Sequence, residues 1–226
     1  MAREYFGQMV RLRAHAYGPK YPIGFLPVDT PDYFVWHHLL CVEDGDAWLP
    51  VAGFRQVPLS RCDLSNATIP LLRTAQDANA ERHVRNLSET FARHRSQGTE
   101  VTYSAGLAIA YEHRGNKELS EFVREFVAAF HVLDQREHSI RETVCASILR
   151  FKTNTWFTQL GYQPLSDEQG ELPAIKKVSA GGEPMLFMSL KELSPWCFEC
   201  FEKLESLVNG RLLIRTQPVQ EEKMAA

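Results

Sequence analysis

The sequence predicts an α/β (α+β) fold in which helices flank a mixed, mostly antiparallel central sheet with one parallel strand pair. Two observations carry this prediction. Apolar runs with the spacing of strands occur early, in the middle and late in the chain, and stripes with helical spacing lie between them. The strand, helix, strand order over residues 101–149 also implies a right-handed crossover, which makes those two strands parallel.

Helices and strands can be placed along the chain from this spacing. The chain begins with a helix at 4–17 and a hairpin of strands at 33–42 and 48–57 around a Gly-containing turn at 43–46. A polar, irregular excursion follows at 58–98, with one helix at 80–94. Three further strands are predicted at 101–110, 140–149 and 185–190. Helices at 117–133 and 152–160 separate them, and Ser194-Pro195 opens a last helix that ends near Asn209.

Composition predicts a single domain over residues 1–226, with 191–226 as a C-terminal helix and tail. The 226 residues are 44% hydrophobic, which is enough for one large core. The net charge is −3 and the cations are scattered, which argues against a nucleic-acid partner. No apolar run could span a membrane, no leader peptide is evident, and the five cysteines form no disulfide framework, so we expect a cytoplasmic protein. The spacing of Cys and His predicts no metal site.

Arg114-Gly115-Asn116 stands between a predicted strand and a predicted helix. The first amides of a helix have no partner inside it and carry a partial positive charge, so such a junction can bind an anion. Arg114 and Lys117 add formal charge, which makes phosphate the natural ligand. The alternative is that Gly115-Asn116 only turns the chain and caps the helix.

This junction and a second motif resemble the GCN5-related N-acyltransferase (GNAT) superfamily. The stretch IAYEHRGNKEL at 109–119 is similar to the point where the family's fourth strand meets a helix and main-chain amides bind the pyrophosphate of an acyl-CoA. The stretch KTNTWFTQLGYQPL at 152–165 is similar to a family helix that ends in Gly-Phe. The resemblance implies a GNAT-like sheet whose parallel pair diverges in a V. It assigns eight residues to the acyl donor: Ile109, Ala110, Tyr111, Arg114, Gly115, Asn116, Lys117 and Phe157.

The N-terminal third resembles one branch of that superfamily, the acyl-homoserine-lactone synthases and N-acyl amino acid synthases. RLRAHAY at 11–17 is similar to their Leu-Arg-x-x-x-Phe helix. Arg55, within GFRQVP at 53–58, resembles the Arg that ends their hairpin, and Asp29 and Asp32 resemble their paired acidic positions. Tyr103 and Gly106 stand where those synthases have Glu and Arg, so N-acylation of another amine is expected. The branch implies an acceptor site at Arg13, Asp29, Asp32 and Arg55. Ser104 and Gly106 complete a predicted site of six residues, because they lie on the unusually small face of the strand at 101–110, which a ligand can approach closely.

The reaction implied is acyl transfer from a thioester to the amine of an amino acid or another small molecule. The donor is an acyl-CoA or the phosphopantetheine of an acyl carrier protein, and no metal is required. A neutral amine attacks the thioester carbonyl while a main-chain N–H of the bulged strand holds the oxyanion. Tyr103 is the first choice for proton transfer, and Glu100, His37 and its neighbour His38 are further candidates.

Two alternatives stay open at this point. One is an acetyl-CoA-dependent acetyltransferase of a small amine. The other is a GNAT-derived binding or regulatory protein without catalysis, because Lys117 and Leu119 occupy positions where the family has Gly or Ala. Phe157 also stands where many members carry a proton-donating Tyr.

The cysteines are predicted to be structural. PWCFEC at 195–200 resembles the redox motif of thioredoxins, but too little chain follows it for that fold. Helical spacing places Cys197 and Cys200 on an apolar face, and Cys145 has no His partner in the sequence, so all three are expected to be buried thiols.

Overall fold

The computed structural model describes residues 2–18, 28–45, 47–176 and 182–214. Its strands, in chain order, are β1 Trp36–Asp44, β2 Ala47–Pro58, β3 Glu100–Ile109, β4 Ile140–Ile148, β5 Gln163–Pro164, β6 Ser166–Asp167, β7 Gly170–Glu171, β8 Ile175–Lys176 and β9 Pro184–Leu190. Its helices are α1 Ala2–Tyr17, α2 Leu59–Leu64, α3 Pro70–Asp77, α4 Glu81–Gln97, α5 Lys117–His138, α6 Thr153–Leu160, α7 Pro195–Lys203 and α8 Glu205–Asn209.

Within the described ranges, seven strands form one sheet in the order β1-β2-β3-β4-β9-β5, with β8 also paired to β9. Neighbouring strands run antiparallel except β3 and β4, which run parallel. The long helix α5 connects these two strands, as the crossover argument requires. The mixed, mostly antiparallel sheet predicted from the sequence is confirmed.

β3 and β4 pair only over their first halves. Their register runs from Glu100 opposite Ile140 to Ser104 opposite Cys145. Beyond this point β3 stays with β2, whereas β4 stays with β9 as far as Ile148. The two strands therefore diverge in the predicted V, and a gap opens in the sheet after Ser104.

Helices cover both faces of the sheet. One core joins the sheet to α5, α6 and α7 and contains the apolar stripe predicted for α5, including Val123, Phe126 and Phe130. A second core joins the sheet to α2, α3 and α4 through residues such as Leu71 and Phe91. The gap between β3 and β4 therefore lies between two packed layers.

The prediction of an irregular segment with one helix at 58–98 is wrong, because this segment contains the three helices α2, α3 and α4. Pro70 lies in the first turn of α3, where its fixed φ and missing N–H suit a helix start. Ile69, Leu71 and Phe91 are buried against the sheet. These helices gain stability from tertiary burial, which weak local periodicity does not reveal.

Other boundaries also differ from the sequence predictions. Thr30–Tyr33 form a 3-10 turn with Pro31 in its first turn, so β1 begins at Trp36 rather than at residue 33. The last predicted helix breaks at Leu204 into α7 and α8, and the short strands β5 to β8 were not predicted. Asp46 of the predicted hairpin turn and residues 215–226 of the predicted tail lie outside the described residues.

The prediction of buried thiols is confirmed for Cys145, Cys197 and Cys200. Burial raises the pKa of all three thiols, which keeps them protonated and unreactive. None of the described helices is both long and apolar enough to cross a bilayer.

Candidate functional site

A cavity of about 380 Å³ occupies the gap where β3 and β4 part. β3 lines it from Tyr103 to Leu107, and β4 lines it with Ala146 and Ile148. All six residues of the predicted acceptor site face it, together with Tyr103 and Phe157 from the other predictions: Arg13, Asp29, Asp32, Arg55, Ser104 and Gly106. The fold thus brings residues from α1, the turn before β1, β2 and β3 to one place.

A buried network of charges forms one wall of the cavity. Arg13 Nη1 donates to Asp32 Oδ1 at 2.6 Å, and Arg55 Nη1 lies 2.6 Å from the same oxygen. Arg55 also binds Asp29 with both terminal nitrogens, at 2.5 and 2.8 Å. Arg13, Asp32 and Arg55 are at most 7% exposed, whereas the Asp29 side chain is 44% exposed. Asp29 is therefore the member of the network that a ligand can reach.

The network fixes the charge state of its members. Burial alone would raise the pKa of Asp32, but Arg55 and Arg13 outweigh it and lower that pKa to about 2. Burial likewise works against the charged form of Arg55, but the hydrogen bonds and charges of Asp29 and Asp32 raise its pKa above its usual value. Asp32 and Arg55 are therefore both ionised at neutral pH.

This shift predicts that the protein loses stability in acid. The pKa of Asp32 is about 2 when folded against 3.8 when unfolded, so its contribution is complete above pH 4 and is lost as pH falls toward 2. The size of the shift corresponds to about 2 kcal/mol. Urea unfolding at pH 5 and pH 2.5 should show this loss in the wild type and a smaller one in Asp32→Asn, where the carboxylate is absent. An equal loss in both proteins would contradict the assignment.

A β-bulge shapes β3 where it borders the cavity. The β2–β3 register passes from Arg55 opposite Ala105 to Gly53 opposite Ala108, so β3 contains one extra residue there. Gly106 has a φ of +67°, and a Cβ on it would lie 2.9 Å from Arg13 Nη2. A glycine is required for both reasons, because an L side chain would be strained and would push against Arg13.

The candidates for proton transfer fall into different environments. Tyr103 lines the cavity, and burial raises its pKa to about 12, so it is a neutral proton donor rather than a base at pH 7. His37 Nε2 lies 2.8 Å from the main-chain oxygen of Asp32, which accepts its proton, and Nδ1 faces Arg13 Nη2 at 3.4 Å. Burial lowers the pKa of His37 to about 4. The lone pair of His37 Nδ1 therefore accepts from the Arg13 guanidinium, and we interpret His37 as a residue that positions Arg13 rather than as a base.

The structure does not bring Glu100 to the cavity. It lies at the opposite end of β3 from the bulge, where its carboxylate accepts from the amide and hydroxyl of Ser60. His38, the other histidine weighed from the sequence, lies in the α5 core with its Nε2 3.0 Å from Asp134 Oδ2. Neither residue is positioned to take a proton directly from a molecule in the cavity.

The predicted donor junction turns the chain between β3 and α5. Ala110 donates its amide to Val51, and Gly115 has a φ of +88°. The Asn116 side chain accepts from the amide of Leu119 at 3.1 Å, so it is a helix cap. The Arg114 guanidinium donates to the main-chain oxygen of Ala16. The capping interpretation of this junction thus has a structural basis, and the anion site stays a prediction.

The rest of the cavity wall is mostly apolar. α6 contributes Trp156 and Phe157, α5 contributes Val127, and β9 contributes Met185. Such a wall can accommodate a hydrocarbon chain. Among the described residues, no group of three or more His, Cys, Asp or Glu side chains could hold a metal ion.

Sequence reasoning missed several residues of this site. Tyr17, noted only as the aromatic position of the α1 motif, donates its hydroxyl to the Leu107 main-chain oxygen at 2.5 Å and fixes the bulge. Trp156 is 7% exposed and lines the cavity beside Phe157. The stretch at 152–165 contains Trp156, but a buried Trp on a short helix is usually a core residue.

The fold of this chain is similar to that of a solved enzyme structure. The CoA-dependent acyl-homoserine lactone synthase BjaI, in complex with SAM and isopentyl-CoA, is 14% identical to this chain, and the match covers 92% of this chain and 83% of that one with a TM-score of 0.50. The fold is GNAT-like. Within this fold, the paired strands β3 and β4 form the V, and the bulge at Gly106 lies at its opening.

Two further solved structures of lower TM-score are similar to this chain. FeeM, an N-acyl amino acid synthase from uncultured soil microbes, is 15% identical over 84% of each chain, with a TM-score of 0.44. An agmatine N-acetyltransferase is 14% identical over 84% of this chain and 96% of that one, with a TM-score of 0.47. No protein-family model matches the sequence, and no curated protein matches it significantly.

Proposed function

We propose that this GNAT-like protein is an N-acyltransferase that moves an acyl group from an acyl-CoA or acyl carrier protein thioester to the amine of an amino acid or another small molecule. One observation carries the proposal: the gap between β3 and β4 opens into a cavity lined by all six residues predicted for an acceptor site. A two-substrate transfer needs one place where thioester and amine meet in a fixed geometry. The similarity of fold to BjaI, a CoA-dependent synthase, supports the same class of reaction.

The donor is proposed to enter through the gap. Its pantetheine arm lies between β3 and β4, and its phosphate lies at the start of α5. The amides of Lys117 and Glu118, in the first turn of α5, have no acceptor inside the helix and are available for the phosphate. The amide of Leu119 already donates to the Asn116 side chain, so it is not available to a phosphate. Arg114 must break its hydrogen bond to the main-chain oxygen of Ala16 before it can bind a phosphate. A donor with few phosphates, such as a carrier-bound pantetheine, is compatible with this restricted site.

The acyl chain and the acceptor then occupy different parts of the cavity. The chain lies along the apolar wall that includes Trp156 and Phe157. The acceptor ammonium lies near Asp29, the most exposed carboxylate of the charged wall. Because Arg13 and Arg55 are buried and paired with carboxylates, Asp29 is the group of this wall that an amino acid or another amine reaches.

The acceptor ammonium first gives one proton to water, and the neutral amine then attacks the thioester carbonyl. An amide of the bulged segment around Gly106 holds the developing oxyanion. The electron pair of the broken C–S bond leaves with sulfur, and the thiolate takes up a proton that originates from water in the cavity. The Tyr103 hydroxyl, which is neutral at pH 7, relays this proton: it gives its own proton to the thiolate as it accepts one from the water. Phe157 does not have a hydroxyl for this step.

A thiol-release assay tests this function. Acetyl-CoA, long-chain acyl-CoA and an acylated carrier protein are each offered with a panel of amino acids and a small polyamine. The account predicts release of free thiol that requires both substrates. Arg114→Ala should raise the KM for the donor about 10-fold, because it removes one charge-assisted hydrogen bond to the donor phosphate.

The matched control is Arg95→Ala. Arg95 is an exposed arginine that binds Asp63 and does not line the cavity, so its loss should leave the KM for the donor unchanged. An unchanged KM in Arg114→Ala would remove Arg114 from the donor site. Binding of a donor without any thiol release would instead favour the non-catalytic binding protein.

A further inference from the structure

A line of buried hydroxyl and imidazole groups leads away from the cavity into the α5 core. Tyr162 is fully buried, and its hydroxyl lies 2.9 Å from His131 Nε2. His131 is 2% exposed, and its Nδ1 lies 2.8 Å from the main-chain oxygen of Val127. The Ser104 hydroxyl hydrogen-bonds to Tyr162 and also lines the cavity. Three side chains from β3, the end of α6 and α5 are thus connected.

The direction of each hydrogen bond follows from the acceptors. The Val127 oxygen can only accept, so His131 Nδ1 has the proton and its Nε2 has the free lone pair. Tyr162 therefore donates to His131 Nε2, and its oxygen accepts the proton of Ser104. Every donor points from the cavity toward the imidazole, which is the orientation that passes a proton inward.

Burial disfavours a charge on His131, and two neighbouring groups, the Val127 main-chain oxygen and Asp134, act against that effect. Burial lowers the pKa of His131, so the imidazole is neutral and able to accept at pH 7, while Asp134 acts in the opposite direction and favours the charged form. Asp134 is 2% exposed and lies about one helical turn from His131 on α5. His38 of β1 also faces this pair and disfavours the charge.

The side-chain amide of Gln56, next to Ser104, has unused hydrogen-bonding capacity among the described residues. Gln56 is the cross-strand partner of Ser104, so the two side chains share a face of the sheet. Gln56 is fully buried, and neither its side-chain oxygen nor its nitrogen has a hydrogen-bond partner in the described part of the chain. A polar group that enters the gap next to Ser104 therefore finds a second partner there.

We propose that Ser104, Tyr162 and His131 form a proton relay that takes up the proton of the attacking amine. This role rests on the proposed acyl transfer and adds its missing base. The nitrogen lone pair forms the C–N bond, and the nitrogen gives a proton to Ser104 Oγ. At the same time the Ser104 proton moves to Tyr162 and the Tyr162 proton moves to His131 Nε2. After the product leaves, the imidazolium returns the proton along the same path to water in the cavity.

The relay supplies a base where none of the four candidates weighed from the sequence, Tyr103, Glu100, His37 and His38, is placed to act as one directly. Burial raises the pKa of Tyr162 well above its usual range, so Tyr162 never ionises and only exchanges one proton for another. Ser104 is the member that touches the substrate, and Tyr162 and His131 act through it.

Kinetics of single and double variants test the relay. Ser104→Ala and Tyr162→Phe each interrupt the path, so each should lower kcat about 100-fold with little change in either KM. The double variant should lose no more than the single ones, because members of one path act as a unit. The solvent isotope effect on kcat should also fall in both single variants, a change that a structural role would not produce.

The matched control is Thr102→Val. Thr102 lies two residues before Ser104 on the same face of β3, is fully buried, and donates its hydroxyl to Thr143 at 3.2 Å. This isosteric variant removes a buried hydroxyl next to the relay and should keep the wild-type kcat. Ser104→Ala decides the question if Tyr162→Phe proves too unstable to purify.

The outcomes separate the relay from the function on which it rests. Wild-type protein that releases no thiol with any donor overturns the acyltransferase and the relay together. Wild-type turnover that Ser104→Ala leaves unchanged, or losses that multiply in the double variant, overturn the relay alone.

Discussion

Asp32→Ala is expected to lower the free energy of unfolding by about 3–5 kcal/mol, the usual effect of leaving a buried charge without its partner. Asp32 is the carboxylate that Arg13 and Arg55 share, at 2.6 Å from each. Both guanidinium groups are nearly inaccessible to water, so neither can recover its solvation when the carboxylate is removed. Urea unfolding at pH 7 measures the effect.

The control for this variant is an ion pair of similar geometry at the surface. Asp63 binds Arg95 with both carboxylate oxygens, at 2.7 and 2.8 Å, and both side chains are more than 40% exposed. Asp63→Ala should lower the free energy of unfolding by at most about 1 kcal/mol. Equal losses in the two variants would show that the charged wall of the cavity is no more buried than the surface.

Gly106→Ala is expected to lower kcat about 100-fold or more, the cost of losing a single preorganised oxyanion donor. The added methyl group would lie 2.9 Å from Arg13 Nη2, and Arg13 cannot move without breaking its bond to Asp32. The bulge must therefore shift, and its amides lose their alignment with the thioester carbonyl. Thiol release at saturating substrate gives the kcat.

Gly98→Ala provides a matched comparison. Gly98 has a φ of +62°, close to that of Gly106, and its Cβ position has no atom within 4 Å. Alanine there meets the same backbone strain, of about 1–3 kcal/mol, without disturbing the cavity. A similar loss of kcat in both variants would mean that reduced stability, and not the bulge geometry, limits turnover.

The parts of the fold that could be predicted from the sequence are those with strong local patterns. The Phe stripe of α5 and the glycine after α6 mark elements whose burial or termination is encoded in consecutive residues. The parallel pairing of β3 and β4 follows from chain order, whereas their divergence in a V is implied only by the family resemblance. The helices α2 and α3 could not be predicted, because residues such as Ile69 and Leu71 obtain their burial from contacts with distant strands.

The candidate site shows the same division. Arg13, Asp32 and Arg55 could be predicted because a family resemblance marks them, although they are far apart in the sequence. His131 and Tyr162 could not, since a single His on an apolar helix and a Tyr after a helix stop are usually core residues. Only the fold brings the hydroxyl of Tyr162 within 2.9 Å of the imidazole, across 31 residues of sequence.

The account depends most on the claim that a pantetheine thioester occupies the gap between β3 and β4. A crystal structure with a non-hydrolysable thioether analogue of a long-chain acyl-CoA tests this directly. The account predicts that the sulfur lies between Ser104 and Ala146, that the acyl chain follows Trp156 and Phe157, and that a phosphate lies at the amides of Lys117 and Glu118. Density for the analogue elsewhere on the protein, with the gap unoccupied, would contradict it.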